Sequence, residues 1–229
     1  MVFGGFQRLT LLDYPGKVAC TLFTRGCNFR CPFCHNASLV EGGGESISEE
    51  SVLSYLKKRQ GILEGVCISG GEPLLHGELP EFIRKVRDLG YCVKLDTNGY
   101  FPDRLAALID EGLIDHVAMD IKSSFERYPA VSGVSELDLS RIERSIDILM
   151  SGKVSYEFRT TVAGGLHTAD DIREAARRIA GAERYYLQNF VDSGDVLASG
   201  FASLDEAQML EMLGAARDHV KNAQIRGKT

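Results

Sequence analysis

Three cysteines lie within one short segment of the chain, GCNFRCPFCHN, which covers residues 26–36. Cys27, Cys31 and Cys34 would supply three thiolates, and thiolates are ligands for zinc and for iron–sulfur clusters. A closed structural metal site has four protein ligands. A metal centre with only these three ligands would therefore keep one coordination position open for another molecule.

Three interpretations of the segment compete with an open cluster. A structural zinc site would use the three cysteines and His35, but such sites usually take ligands from two separated pairs, and His35 directly follows Cys34. The run from Cys31 to His35 also matches the haem-attachment signature, which belongs to exported proteins. A thioredoxin-like pair, Cys31 and Cys34, leaves Cys27 unused. An iron–sulfur cluster with one free iron uses all three cysteines, and its open position would allow a substrate to bind.

The composition is that of an ordinary globular protein. The chain has 229 residues, of which 44% are hydrophobic, and a formal net charge of −6. The sequence has no long basic run that would indicate nucleic-acid binding and no apolar run of the ~20 residues that a membrane span needs. From the pattern of residues 1–16 we expect no signal peptide. We therefore expect one cytoplasmic domain over residues 1–229 with reduced cysteines. Cys20, Cys67 and Cys92 lie in apolar runs and are expected to be buried.

Short β-type runs alternate with amphipathic helical stretches along the chain. The predicted strands cover residues 18–23, 65–69, 91–96, 116–121, 154–160 and 184–190. Helices are predicted near 48–60, 78–89, 102–111, 138–151, 168–180 and from 204 to about 220. Capping boxes are expected at Thr168 with Asp171 and at Ser203 with Glu206.

This order predicts a parallel sheet, because strands separated by helices form right-handed βαβ units. Polar residues end or follow every predicted strand, as in residues 69–73, 96–99 and 120–122. In a curved sheet these ends converge on one mouth, where barrel enzymes have their active sites. A flat sheet would spread them apart. We therefore expect an α/β fold: an incomplete (βα)6 barrel of the TIM type in a single domain.

The spacing C-x₃-C-x₂-C, with Phe33 before the third cysteine, resembles that of the radical S-adenosylmethionine (radical SAM) enzymes. The segment Gly70-Gly71-Glu72-Pro73, which follows a predicted strand, resembles the GGE segment of that superfamily. The resemblance implies a [4Fe–4S] cluster held by the three cysteines, with S-adenosylmethionine on the fourth iron. It also implies that one electron splits this cofactor into methionine and a 5′-deoxyadenosyl radical.

The resemblance implies roles for residues at the strand ends. Gly70 and Gly71 would let the backbone approach the methionine part of the cofactor. Glu72 would be an exposed carboxylate that accepts a bond from the cofactor's ammonium group, so its removal is expected to leave thermal stability nearly unchanged. Lys122 and Arg159 would face the carboxylate or the ribose of the cofactor.

The segment Asp96-Thr97-Asn98 is expected to hold the ribose hydroxyls or, together with Asp120, a monovalent cation. The alternative for this segment is a plain Asx turn at the end of a strand.

The segments LLDYPG, residues 11–16, and Cys34-His35-Asn36 resemble the glycyl-radical-enzyme activases. Those enzymes take a hydrogen atom from a glycine Cα of a partner enzyme. The resemblance implies that Asp13 lies at the barrel mouth and positions the partner's glycine loop; the alternative is that Asp13 caps its own turn. It also implies two partners, a glycyl-radical enzyme and a flavodoxin or ferredoxin-type electron donor.

The short chain most resembles the activating proteins of anaerobic ribonucleotide reductase, and pyruvate formate-lyase activases are the close alternative. The latter have a histidine for the adenine near the end of the last strand, where this chain has Gln188 and Phe190. Phe190 is expected to stack on the adenine instead. Two other hypotheses stay open: a radical SAM enzyme acting on a small molecule or a peptide, and a zinc-binding module without turnover.

Overall fold

The computed structural model describes residues 1–227. Its strands are β1 (Val2–Thr10), β2 (Ala19–Thr24), β3 (Ile47–Ser48), β4 (Gly65–Gly70), β5 (Cys92–Thr97), β6 (His116–Asp120), β7 (Ser155–Val162), β8 (Tyr185–Asn189) and β9 (Ala223–Arg226). Its α-helices are α1 (Ala37–Val40), α2 (Glu49–Arg59), α3 (Leu79–Asp88), α4 (Pro102–Asp110), α5 (Tyr128–Ser132), α6 (Leu139–Met150), α7 (Ala169–Arg178) and α8 (Glu206–Arg217). A 3₁₀ turn covers Pro73–Leu75.

All strands belong to one sheet in the order β3-β1-β2-β4-β5-β6-β7-β8-β9. Neighbouring strands from β2 to β9 are parallel, whereas β1 is antiparallel to both β2 and β3. Within residues 1–227, the edge strands β3 and β9 do not pair with each other, so the barrel is incomplete. The expected partial barrel in a single domain is confirmed.

The register of the sheet brings the carboxyl ends of the parallel strands to one rim. Thr24 at the end of β2 pairs with Gly70 at the end of β4. Asp120 at the end of β6 pairs with Arg159 of β7. Because parallel neighbours in register end together, the segments that follow these strands lie close to one another.

The helices cover the outer face of the sheet through apolar residues at helical spacing. In α3, the fully buried residues are Leu79, Phe82, Ile83 and Val86, at positions i, i+3, i+4 and i+7. Burial of each such side chain contributes about 1.5–3 kcal/mol to the free energy of unfolding. None of the helices described in residues 1–227 combines the length and the apolar character needed to cross a bilayer.

Three strands and two short helices were not expected from the sequence. The strand β1 carries Gly4 and Gly5 at its centre and Gln7 and Arg8 beyond them, so it has no regular alternation of apolar and polar residues. The strands β3 and β9 have two and four residues, and the helices α1 and α5 have four and five. Elements this short depend on the packing around them rather than on a sequence period.

The capping box expected at Thr168 and Asp171 is present. The one expected at Ser203 is wrong, because Asp205 is the N-cap and bonds reciprocally with Gln208. The Ser203 hydroxyl instead donates to a backbone carbonyl at the end of β8. Helix α8 therefore begins at residue 206, after the expected position.

Candidate functional site

One cavity of about 420 Å³ lies inside the curved sheet, within the range of ~300–1,000 Å³ that is typical of small-molecule sites. Most of the predicted site residues line it. These are Asp13, Cys27, Cys31, Phe33, Cys34, Gly70, Gly71, Asp96, Thr97, Asn98, Asp120, Lys122, Arg159 and Gln188. Glu72 and Phe190 are not among the lining residues.

The three cysteines of the loop all line this cavity as free thiols. Burial raises the pKa of Cys27 to about 11 and that of Cys31 to about 12, so both stay protonated until a metal displaces the proton. Among residues 1–227, no three His, Cys, Asp or Glu side chains converge closely enough to hold a single metal ion. Three thiols around a cavity wall fit a cluster of several irons, and the zinc site with His35 gains no support.

The glycines of the GGE segment are needed for contact with the cysteine loop. Gly70 has a φ of +112°, and a Cβ on it would lie 2.3 Å from the backbone N of Thr24. A Cβ on Gly71 would lie 1.9 Å from the carbonyl O of Gly26. The backbone N–H of Gly71 donates to Thr24, and that of Glu72 donates to Gly26. The close approach that requires glycine is thus to the protein's own backbone.

Glu72 is fully buried, and the expectation of an exposed carboxylate with little effect on stability is wrong. Its Oε1 accepts from the backbone N–H of Leu74 at 3.0 Å and from Oγ1 of Thr97 at 2.8 Å. Its Oε2 accepts from the backbone N–H of Asn98 at 2.7 Å. Burial raises the pKa of Glu72 to about 7, although these hydrogen bonds oppose the rise. Glu72 therefore ties the GGE segment to the turn after β5.

The turn after β5 is an Asx turn, as the alternative interpretation held. Oδ1 of Asn98 accepts from the backbone N–H of Tyr100 at 3.0 Å. Nδ2 of Asn98 donates to Oδ1 of Asn28 at 2.9 Å and approaches Sγ of Cys27 at 3.8 Å. The hydroxyl of Thr97 is bonded to Glu72. Two of the residues that were expected to hold ribose hydroxyls, Thr97 and Asn98, thus bind the GGE segment and the cysteine loop.

A buried ion network forms the wall of the cavity along β5, β6 and β7. Asp96 accepts from Nη1 of Arg159 at 3.2 Å and from the ammonium group of Lys94. Asp120 accepts from Nζ of Lys122 at 3.0 Å and from Nε of Arg159 at 3.1 Å. Burial by itself would raise the pKa of Asp120, but the charges of Lys122 and Arg159 outweigh it and lower this pKa to about 2. The network stays ionised at neutral pH.

The ion network has three cations and two carboxylates, so it carries a net positive charge. This charge favours an anionic group of a ligand, as expected for Lys122 and Arg159. A monovalent cation at Asp96 and Asp120 would meet three fixed positive charges, and the arrangement gives such a site no support.

Asp13 lies inside the barrel, not at the rim formed by the strand ends. Its Oδ2 accepts from Oγ1 of Thr21, in the middle of β2, at 2.5 Å. Asp13 does not cap its own turn, because Oγ1 of Thr10 accepts from the backbone N–H groups of Leu12 and Asp13, each at 3.2 Å. The carboxylate is partly exposed to the cavity.

Gln188 lines the cavity near the end of β8, as expected. Phe190 is 2% exposed and packs against Phe201, with the two ring centroids 6.4 Å apart. A ring buried in the core does not line the cavity, so the structure gives the expected adenine contact of Phe190 no support.

Sequence reasoning missed Lys94 and the segment 192–198. Lys94 is 1% exposed and pairs with Asp96 two positions later on the same face of β5. A lysine inside an apolar strand was a signal that pointed to this pair. The segment 192–198 lies against the cysteine loop, where the backbone N–H of Ala198 donates to the carbonyl of Pro32 and Oγ of Ser193 to that of His35. Its sequence has no comparable signal.

We expect Asp195→Ala to lower the free energy of unfolding by about 1 kcal/mol, since Asp195 caps α1 from across the site. The carboxylate accepts from the backbone N–H of Ser38 at 3.1 Å and from its hydroxyl at 2.7 Å, while Asn36, the N-cap position, makes no side-chain cap bond. Urea unfolding measures the change, and the exposed Glu136→Ala is the control. Equal stability of the two variants would contradict this role of Asp195.

The sequence matches the family model of the radical SAM superfamily over residues 21–179. It is 30% identical over 229 residues to a protein of Methanocaldococcus jannaschii whose name assigns it provisionally to the glycyl-radical enzyme activating enzymes. That alignment covers 97% of this chain and 94% of the relative. The chain is also 30% identical to a PqqA peptide cyclase of Rhodopseudomonas palustris, over 92% of this chain and 60% of the relative.

Solved structures have the same fold. SuiB of Streptococcus suis bound to the precursor peptide SuiA matches with a TM-score of 0.70 and 14% identity, over 90% of this chain and 48% of that one. A structure of anSMEcpe with bound AdoMet matches with a TM-score of 0.63 and 21% identity, over 85% and 58%. The chain thus spans about half the length of these structures. The cysteine loop and the partial barrel agree with the matched family model, which covers more than half of the chain. The chain therefore belongs to the radical SAM superfamily, whose members use a [4Fe–4S] cluster and S-adenosylmethionine.

Proposed function

We propose that this radical SAM enzyme is an activase that generates a glycyl radical on a partner enzyme, most specifically anaerobic ribonucleotide reductase. The observation that carries the proposal is the similarity to a relative named as such an activating enzyme, which extends over nearly the whole of both chains. The segment 11–16, which contains Asp13, supports it from the sequence. Asp13 lies on the wall of the cavity that the cysteine loop also lines.

When bound, a [4Fe–4S] cluster and S-adenosylmethionine would supply the radical chemistry for removing a hydrogen atom from a glycine Cα. The residues of the protein bind and orient these two groups. Cys27, Cys31 and Cys34 would hold the cluster, and Lys122 with Arg159 would hold the cofactor's carboxylate through the net positive charge of the ion network.

The electron would come from a flavodoxin or ferredoxin-type protein. Pyruvate formate-lyase is the alternative target of the activase. A second candidate function is the modification of a peptide, because the chain is similar to a peptide cyclase and its fold matches that of SuiB bound to a precursor peptide.

An anaerobic incubation tests the proposal. Reconstituted protein, reductant and S-adenosylmethionine are mixed with purified anaerobic ribonucleotide reductase or with pyruvate formate-lyase, and electron paramagnetic resonance is read for a glycyl radical. We expect the radical on the reductase. Formation of deoxyadenosine without a radical on either enzyme would overturn the proposal.

We predict that Asp13→Asn lowers the yield of glycyl radical without lowering cofactor cleavage. The carboxylate would accept backbone N–H bonds from the partner's glycine loop, and the position of the glycine Cα has little tolerance for error. Asparagine keeps an acceptor for the hydroxyl of Thr21, so the local structure is retained. The check is the ratio of partner radical to deoxyadenosine in one sample, with Thr10→Ser as a control in the adjacent turn. An unchanged ratio in Asp13→Asn would remove the reason for placing the glycine loop here.

A further inference from the structure

Two arginines, one in the cysteine loop and one on α4, are held by carbonyl groups and not by carboxylates. Nη1 of Arg30 donates to the carbonyl of Cys27 at 2.5 Å and to that of Phe29 at 2.8 Å. Nη1 of Arg104 donates to the carbonyls of Leu74 and Leu75, the latter at 2.8 Å. In residues 1–227, no carboxylate lies within 4.0 Å of either guanidinium group. A carbonyl fixes the position of the guanidinium and leaves its charge uncompensated.

A chain of side-chain contacts connects these two arginines. Arg104 holds the turn Pro73–Leu75, and a side-chain methyl of Leu75 lies 4.0 Å from the Cβ position of Gly26, next to Cys27. Arg104 also lies over the ring of Phe101, which contacts Tyr100. Tyr100 in turn contacts Phe29, the neighbour of Arg30.

Two further arginines on α6 extend this region, and each has one carboxylate partner. Arg141 lies over the ring of Tyr100 and pairs with Asp138, and Arg144 pairs with Asp103. Four exposed arginines thus face two carboxylates. The chain as a whole has a net charge of −6, so arginines that outnumber their carboxylate partners are a departure from its average composition. We define Arg30, Arg104, Arg141 and Arg144 as the arginine face.

The arginine face is separate from the cavity. None of its four residues lines the cavity, whereas Cys27 lines it and is bonded to Arg30 through its carbonyl. A protein that docks on this face and contacts Arg30 would reach the side chain that is bonded to the backbone of Cys27. The cavity would remain free for the cofactor during docking.

We propose that the arginine face is the docking surface for an acidic one-electron carrier protein. This inference rests on the proposed function only in that the cluster needs an electron. In the step concerned, the carrier loses one electron, the oxidised cluster gains it, and no bond is formed or broken. Positive charges at the docking site accelerate the association of an acidic partner, and the effect weakens as ionic strength rises.

The test uses the reconstituted full chain without S-adenosylmethionine and without a partner enzyme. Stopped-flow absorbance follows reduction of the cluster by flavodoxin hydroquinone at low and high salt. In the double variant Arg30→Gln, Arg104→Gln, we expect the rate at low salt to fall by roughly tenfold, the lower end of the range for electrostatic steering. We also expect its salt dependence to weaken.

Three controls separate docking from other effects. Arg59→Gln removes an exposed arginine that stacks on Tyr55, on the last turn of α2, and should leave the rate nearly unchanged. The double variant Arg30→Lys, Arg104→Lys keeps both charges and should keep most of the rate. Reduced methyl viologen, a small cationic reductant, should reduce the glutamine variant at least as fast as the parent protein.

Each contrary result overturns the proposal. An unchanged rate and salt dependence in the glutamine variant would show that the arginine face does not bind the carrier. Equal slowing with methyl viologen would show that the substitutions act on the cluster itself. If dithionite supplies the electrons and the variant loses only partner radical, the face binds the glycyl-radical enzyme instead. Failure of the activase proposal would leave the carrier measurement unaffected.

Discussion

Alanine in place of Cys27, Cys31 or Cys34 is expected to abolish the iron–sulfur cluster in reconstituted protein. All three thiols line the cavity, and two thiolates cannot hold three irons of a four-iron cluster. The iron and sulfide content and the visible absorption of each variant measure the loss. Because a cluster stabilises the loop that binds it, we also expect the three variants to lose the gain in thermal stability that reconstitution gives to the parent protein.

The other three cysteines are the matched controls. Cys20 and Cys67 are fully buried in β2 and β4, and Cys92 is partly buried in β5. Alanine at these positions removes one buried sulfur and costs stability, but it should leave the iron content unchanged. A cluster lost in Cys67→Ala and kept in Cys31→Ala would refute the assignment of the ligands.

Glu72→Ala is expected to lower the free energy of unfolding by about 3 kcal/mol or more. The substitution leaves three buried donors without a partner, on Leu74, Thr97 and Asn98, and each orphaned buried donor costs ~1–3 kcal/mol. Urea unfolding of the protein without its cluster measures the change. The exposed Glu136→Ala should stay within about 0.5 kcal/mol of the parent protein. Equal stability of the two variants would contradict the structural role of Glu72.

The buried carboxyl of Glu72 also predicts a pH dependence. Burial raises its pKa from 4.5 to about 7, so between these values the folded protein binds more protons at Glu72 than the unfolded chain does. The contribution of Glu72 to the free energy of unfolding therefore falls as pH rises through this window. Glu72→Gln has no such titration, and the stability difference between parent and variant should shrink from pH 4.5 to pH 7. A difference that is constant with pH would show that the carboxyl is not perturbed.

In the turn after β5, the sequence predicted the position of the polar residues but not their hydrogen-bond partners. Asp96, Thr97 and Asn98 line the cavity, and a polar triplet at the end of an apolar strand is conspicuous in the sequence. Their partners were not predictable. The amide of Asn98 bonds with Asn28, which is 70 positions away, and the hydroxyl of Thr97 with Glu72. Such contacts depend on which strands become neighbours.

Glu72 and Phe190 show that the burial of a side chain could not be predicted from its residue type. Glu72 was assigned to the cofactor through the resemblance of the GGE segment, and Phe190 because it is an aromatic residue near the end of the last strand. Glu72 is instead buried among protein donors, and the ring of Phe190 packs on Phe201 in the core. Burial is a property of the assembled fold, and no local pattern distinguishes a buried glutamate from one that faces a ligand.

The sequence by itself determined the three-cysteine loop, the GGE segment and the order of six parallel strands, because thiolate spacing, glycine content and hydrophobic period are local properties. The tertiary structure alone decided how these parts meet. It placed Arg159 on Asp96, Asp195 on α1 and Arg104 on the turn Pro73–Leu75. These contacts join residues that are far apart in the chain. They depend on the register of neighbouring strands and on loops that cross the rim, and no local sequence pattern specifies either.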